Sequence, residues 1–207
     1  MSGLPKAVLF VLVLGCLSGT APAQQAKLSS AEREAKAREY FTDTVLRTES
    51  NRAIRFYSDA LQGKVVLINF VFTQCSDACP LITAQLVQVK KELGEAFGRD
   101  VRFVSISVDP QNDRPQDLAR FAQKFDAAHP EWWFLTGEKA SVDRVVQKLG
   151  AFTPERESHL TAMIIGATSA ARWKKVRPDA PPRIIAEELR VLVAAQAEAR
   201  KSAQWTR

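Results

Sequence analysis

The stretch KVVLINFVFTQCSDACPLITAQL, Lys64 to Leu86, carries the reading on which the fold turns. Its first half is an unbroken β-branched and aromatic run, the pattern of a strand covered on both faces. Its second half opens a helix from Ala78 to about Phe97, because Leu81, Leu86, Val89, Leu93 and Phe97 recur at helical spacing, with Gly94 and Gly98 as stop signals. Between strand and helix lie Cys75 and Cys79, with Pro80 directly after. Two thiols therefore sit at a strand-to-helix junction.

Outward from this unit, the same alternation continues. VRFVSISV, Val101 to Val108, is a second buried strand, and DPQNDRPQDLARFAQKF reads as a turn and a helix with Asp113 as N-cap and Pro115 in the first turn. WWFLT (Trp132–Thr136) is a short strand and KASVDRVVQKLG a helix closed by Gly150. HLTAMIIG (His159–Gly166) and ARWKKVR (Ala171–Arg177) are strands, and PRIIAEELRVLVAAQAEA (Pro182–Ala199) is a final helix. Upstream, DTVLRTESNRAIRFY predicts a hairpin about the polar turn Thr48–Asn51. The expected fold class is α/β, with a central, mostly parallel sheet, helices on both faces and an N-terminal β-hairpin. No internal repeat is present, and no Gly-rich phosphate loop follows a strand.

With 207 residues and 46% hydrophobic content, the chain suits one principal core. It opens with Lys6, an apolar stretch from Ala7 to Leu17 and small residues ending at Ala23, the organisation of a secretory signal. The stretch is about half the ~20 residues of a spanning helix, so at most peripheral membrane association is expected. Cleavage after Ala23 is the preferred reading. Cys16 offers a lipoprotein site in competition, against which the bulky Leu14 weighs. The expected organisation is a signal over 1–23, a polar tether or frayed helix over 24–39, one domain over 40–200 and a tail over 201–207.

Cleavage would remove Lys6 and Cys16, leaving a small basic excess and two cysteines. No strip of Lys/Arg interleaved with aromatics is present, so nucleic acid is not an expected partner. Export places the thiols where a pair can stay oxidised unless something reduces it. At i and i+4 on a helix they share a face, within reach of a bridge or of a common ion. The positive end of the helix dipole is expected to favour thiolate. Two soft sulfurs suit copper(I) and zinc better than calcium or magnesium. Of the two histidines, His129 reads as surface; His159, opening a strand, reads as structural or as a ligand. Met163 reads as core, while Trp132 and Trp133 should pack beside the sheet, one of them screening the site from water. A bridge at i,i+4 closes too small a loop to stabilise much, which weakens a purely structural disulfide.

Three stretches in chain order, FYSDALQGKVVLINFVFTQCSDACPLITAQL, VRFVSISVDPQNDRPQDLARFA and SHLTAMIIGATSAARWKKV, resemble the Sco/SenC family. The resemblance runs from about Tyr40 to Leu192 and rests on a C-x3-C-P motif, an S-V-D-P after the second long strand and a histidine opening a later strand. It implies a thioredoxin-like fold and one copper ion, copper(I) or copper(II), held by Cys75, Cys79 and His159. It also implies a periplasmic protein that serves the copper-site subunit of cytochrome c oxidase, or another periplasmic copper or thiol protein. Delivery of copper is the expected role; the alternative is a thiol–disulfide oxidoreductase using Cys75 and Cys79 as redox-active residues. The C-x3-C spacing favours metal over the tighter C-x2-C redox pair. Ser158 departs from the aspartate usual before the histidine, removing a carboxylate that would orient the imidazole. Asp109 is left between a turn and a role at the site.

Overall fold

The computed structural model describes residues 29–152 and 163–204. The polar segment before the hairpin forms helix α1 (Ser30–Phe41), fixed by a capping box in which Ser29 Oγ accepts from Glu32 N–H and Glu32 returns to Ser29 N–H. The hairpin follows as β1 (Val45–Thr48) and β2 (Ala53–Arg55), and a short π-helix over Phe56–Leu61 then leads into β3 (Val65–Val71). Helix α2 (Ala78–Leu93) stops at Gly94, whose φ of +55° suits glycine; Phe97 lies beyond it in a kinked turn, α3 (Ala96–Arg99). The remaining elements are β4 (Val101–Ser107), α4 (Pro115–Lys124), β5 (Trp132–Thr136), α5 (Lys139–Lys148), β6 (Met163–Ala167), β7 (Arg172–Val176) and α6 (Pro182–Gln204).

These strands form a seven-stranded sheet in the order β2-β1-β5-β4-β3-β6-β7. Parallel pairing is confined to β3–β4 and β4–β5; the other four pairings are antiparallel, so the sheet is mixed rather than mostly parallel. Periodicity identifies a strand but not its direction. The short connection from β6 to β7 permits only a hairpin.

Alternate residues of β3 serve opposite cores. Val65, Leu67 and Val71 pack with α2, α4 and α6, while Val66, Ile68 and Phe70 pack with α1, α5, the π-helix and the hairpin. Helices cover both faces, as the continuous apolar run requires. On α2 the inward stripe is Cys79, Ile82, Leu86, Val89 and Leu93; Leu81, expected inside, is 68% exposed. Asn69, inside an otherwise apolar strand, accepts from Ser105 Oγ at 2.7 Å, and Ser105 Oγ accepts from Trp132 Nε1 at 2.9 Å. On the opposite face Arg102 is buried: it ion-pairs with Glu131 at 2.8 Å, lies 3.8 Å from the Trp133 ring centre and donates to the carbonyls of Asp59 and Ala60 in the π-helix.

The β6–β7 pair is keyed by one glycine. Gly166 lies opposite Trp173, and a Cβ at Gly166 would sit 2.2 Å from the indole. We expect Gly166→Ala to destabilise the protein by about 1–3 kcal/mol through overpacking, read as a lower urea midpoint. In a Trp173→Ala background most of that penalty should vanish; an equal loss in both backgrounds would contradict this packing.

Candidate metal and thiol site

The cysteine loop leaves the C-terminal end of β3 and turns into α2. Cys75 N–H donates to Phe72 C=O at 3.1 Å, folding the loop back on the strand end. Cys75 thus precedes the helix instead of lying in its first turn. Its Sγ accepts the Cys79 backbone N–H at 3.3 Å, taking the place of a side-chain cap that Asp77 does not supply. Both cysteines are free thiols; Cys75 is half-buried and Cys79 fully buried.

That difference overturns the expectation of a thiolate at Cys79. Burial pushes the Cys79 thiol up, the neighbouring Cys75 adds to the rise, and hydrogen bonding with the Phe72 backbone opposes it. A helix terminus offers roughly 0.3–1 kcal/mol. Burial in apolar surroundings shifts a thiol by up to about 3–5 pKa units, several times as much, so burial wins.

Beneath the loop lies a buried carboxylate. Asp113 was expected to cap α4, but Arg114 occupies that position and pairs with Asp117 instead. Asp113 turns inward, fully buried, and accepts from Thr73 N–H (3.1 and 3.2 Å), Thr73 Oγ (2.5 Å) and Ser107 Oγ (2.6 Å). Its backbone C=O also accepts from Thr136 Oγ at 2.8 Å. Burial raises its carboxyl above the ordinary range, while the hydroxyl and amide donors pull it back. The only sequence signal was Asp113 four residues after Asp109 in a polar turn, which is equally the signature of a cap.

Asp109 builds that turn: its C=O accepts the N–H groups of Asn112 and Asp113, and its carboxylate accepts from Asn112 Nδ2. His129 is exposed, packs at a tilt against Phe97 and accepts from Glu131 N–H through Nδ1, as a surface residue should. Met163 is core. Neither tryptophan walls the cysteines: register places Trp132 level with Leu67 and Trp133 level with Ile68. At about 3.3 Å per residue, both lie roughly 10–13 Å short of the end of β3.

His159 lies outside the described residues. The topology fixes where the strand after it begins: β6 runs antiparallel to β3 with Ile164 opposite Ile68, so Met163 enters beside the C-terminal half of β3. Among the described residues, no group of three or more His, Cys, Asp and Glu is placed to hold a metal. On its solvent side Cys75 opens into a cleft of about 440 Å³ against α4, edged by Arg120, Lys124 and Phe125. A reacting group reaches Cys75 there, while Cys79 is screened.

The SCO1/SenC family model matches residues 47–194, a span holding the cysteine loop, the Asp113 turn and the strand after His159. The chain belongs to the SCO1/SenC family. It is 42% identical over 83 residues to a SCO1 protein homolog of Bacillus subtilis, covering 40% of this chain and 42% of that one. It is 40% identical over 82 residues to a human mitochondrial SCO2 homolog, covering 39% and 30%. The matched segment is thus less than half the length of these curated relatives. A SCO1/SenC family lipoprotein from Bacillus anthracis superposes with a TM-score of 0.61 at 26% identity, covering 72% of this chain and 91% of that one. BsSco, described as carrying a disulfide switch and as a member of the Sco family of cytochrome c oxidase assembly proteins, gives 0.62 at 25%, covering 74% and 93%. Copper-bound ScoI of Bradyrhizobium japonicum shares the fold at 0.59 and 23%, covering 72% and 96%. The fold of this SCO1/SenC chain is accordingly thioredoxin-like.

Two outcomes test the site as described. Cys79 holds its proton more tightly folded than unfolded, so its contribution to stability is full below pH ~9 and is lost as pH rises through the higher folded value. The reduced protein should weaken above pH 9, and Cys79→Ala should flatten that limb of a pH-dependent urea titration. Asp113→Ala strands the donors of Thr73 and Ser107 and should cost on the order of 3 kcal/mol. It should also speed labelling of Cys79 by a thiol reagent under native conditions; an unchanged labelling rate would show that Asp113 does not hold the loop.

Proposed function

We propose that this protein is an exported copper-binding protein that delivers copper to the binuclear copper site of cytochrome c oxidase, with Cys75, Cys79 and His159 as its ligands. The observation that carries the reading is the pair of reduced sulfurs, one buried and one half-exposed, fixed at the end of β3 by Asp113. Two thiols suit a soft ion, and the copper-bound relatives share this fold. The direction of β6 supports His159: the strand's first residue, Met163, lies toward the end of the sheet at which the cysteine loop departs. Copper uptake must expel the Cys79 proton, since metal binds thiolate. Release would proceed by exchange, an incoming ligand replacing Cys75 first because Cys79 is screened. The leader, cleaved after Ala23, would place the protein in the bacterial periplasm.

A second reading rests on the same asymmetry. In a dithiol reductase, Cys75 as thiolate would attack a partner disulfide, forming a mixed disulfide and expelling one partner thiolate. Cys79 would then displace the second, leaving a Cys75–Cys79 disulfide and two electrons on the partner. The Cys79 N–H already directed at Cys75 Sγ places the two residues side by side.

His159 separates the readings, because delivery needs the imidazole and exchange does not. Reduced protein should take up one copper per chain, and neither the oxidised protein nor a Cys75→Ser, Cys79→Ser double variant should do so. His159→Ala should weaken copper(II) more than copper(I). In cells lacking the protein it should fail to restore copper loading of the oxidase at low copper, with its thiols still oxidisable. Full rescue by His159→Ala, with a mixed disulfide trapped by Cys79→Ser, would establish the reductase instead.

A further inference from the structure

On the face of the sheet opposite α2, a cleft of about 600 Å³ runs between α1, the end of α5 and the β6–β7 hairpin. Its apolar surface is contributed by Tyr40, Phe41, Leu149, Ile164 and Trp173. Trp173 is held there by two features already described in part: the bare Cα of Gly166 beneath its ring, and Phe41 against it with ring centres 4.4 Å apart. Tyr40 remains 58% exposed.

The charged residues that line this cleft, among the described residues, are of one sign. Arg33 and Lys36 from α1, Lys148 from α5, and Lys174 and Lys175 from β7 line the cleft, and among its described lining residues there is no carboxylate. Lys174 is paired outward with Glu188 at 2.6 Å and Lys175 donates to Gly150 C=O at 3.1 Å, whereas Lys36 and Lys148 are exposed. A smaller cavity of about 220 Å³ adjoins at Arg33 and Thr168; it brings in Arg200 and, with it, Glu34. An apolar trough with cations on three sides, and of a volume within the roughly 300–1,000 Å³ typical of small-molecule sites, is complementary to an amphiphile with an anionic head.

We propose that this cleft binds a single-chain amphiphile with a carboxylate or phosphate head, the chain along Trp173, Phe41 and Ile164 and the head among Arg33, Lys36 and Lys148. A hydrocarbon chain brings no polar group to satisfy on this floor. A peptide would leave backbone donors and acceptors unpaired there, which is costly. The site faces away from Cys75 and Cys79 and stands independently of the copper reading.

Calorimetric titration of the reduced mature protein with dodecanoate below its micellar concentration tests this, with dodecanol as the uncharged control and vesicles of anionic phospholipid as the alternative source of the same chemistry. One dodecanoate should bind per chain, at least about tenfold tighter than dodecanol, since only the carboxylate makes charge-assisted contacts with these cations. Lys36→Glu with Lys148→Glu, two exposed positions, should weaken dodecanoate by a similar factor and leave dodecanol unchanged. Trp173→Ala should weaken both; circular dichroism and thermal midpoint would confirm that each variant is folded. Absence of dodecanoate binding, equal affinity for dodecanol, insensitivity to the charge reversals, or binding to vesicles without binding of the monomer would each overturn the proposal.

Discussion

One buried carboxylate, that of Asp113, organises the end of the sheet that carries the thiols. Asp113 is joined to Thr73, just past β3, to Ser107 at the end of β4, and through its backbone to Thr136 at the end of β5. These are the three parallel strands, and one residue ties their C-terminal ends together. A carboxylate in that position is expensive to bury, and it is kept because its hydrogen bonds are satisfied from several directions. The geometry of the cysteine loop follows: with Thr73 fixed, Phe72 C=O holds Cys75, and Cys75 Sγ meets the first turn of α2.

The two-sided core is what permits so polar an end. β3 and β4 are buried along their whole length, so the centre of the sheet is held by its two cores and not by the loops. The polar atoms inside are handled by short chains of donors and acceptors, as in Trp132–Ser105–Asn69, or by one long side chain serving several acceptors, as Arg102 does for the π-helix. Those devices lie away from the cysteines and concern the architecture, whereas the Asp113 contacts concern the loop.

Most of the architecture was legible in the sequence because it is written in periodicity. The β-branched runs, the helical spacing after Cys79, the hairpin turn and the stop at Gly150 all correspond to elements of the structure. Strand direction was not legible, since a buried strand has the same composition whichever way it runs; the sheet as a whole was therefore expected to be mostly parallel. Leu81 was taken for Ile82 because adjacent apolar residues fit a helical stripe almost equally well. The two cysteines were plain from their spacing, but their inequality was not. It arises because the helix begins at Ala78, so one thiol caps it from outside while the other is carried into the core. Asp113 was misread for a related reason: a capping residue and a buried acceptor have the same sequence signature, and only the fold decides which donors arrive.

The two edges of the sheet are unlike its centre. β2 is only three residues long, and β7, reading Arg172-Trp173-Lys174-Lys175-Val176, carries three cations on five positions. A short edge and a cationic edge are both poor templates for an added strand, because a docking chain finds few backbone groups in a row or must bring its own neutralising charge. Self-association by strand addition, the common route from exposed sheet edges to aggregates, is thereby discouraged at both ends. The accessible sulfur is carried elsewhere, on the loop that leaves the central strand β3, away from both edges.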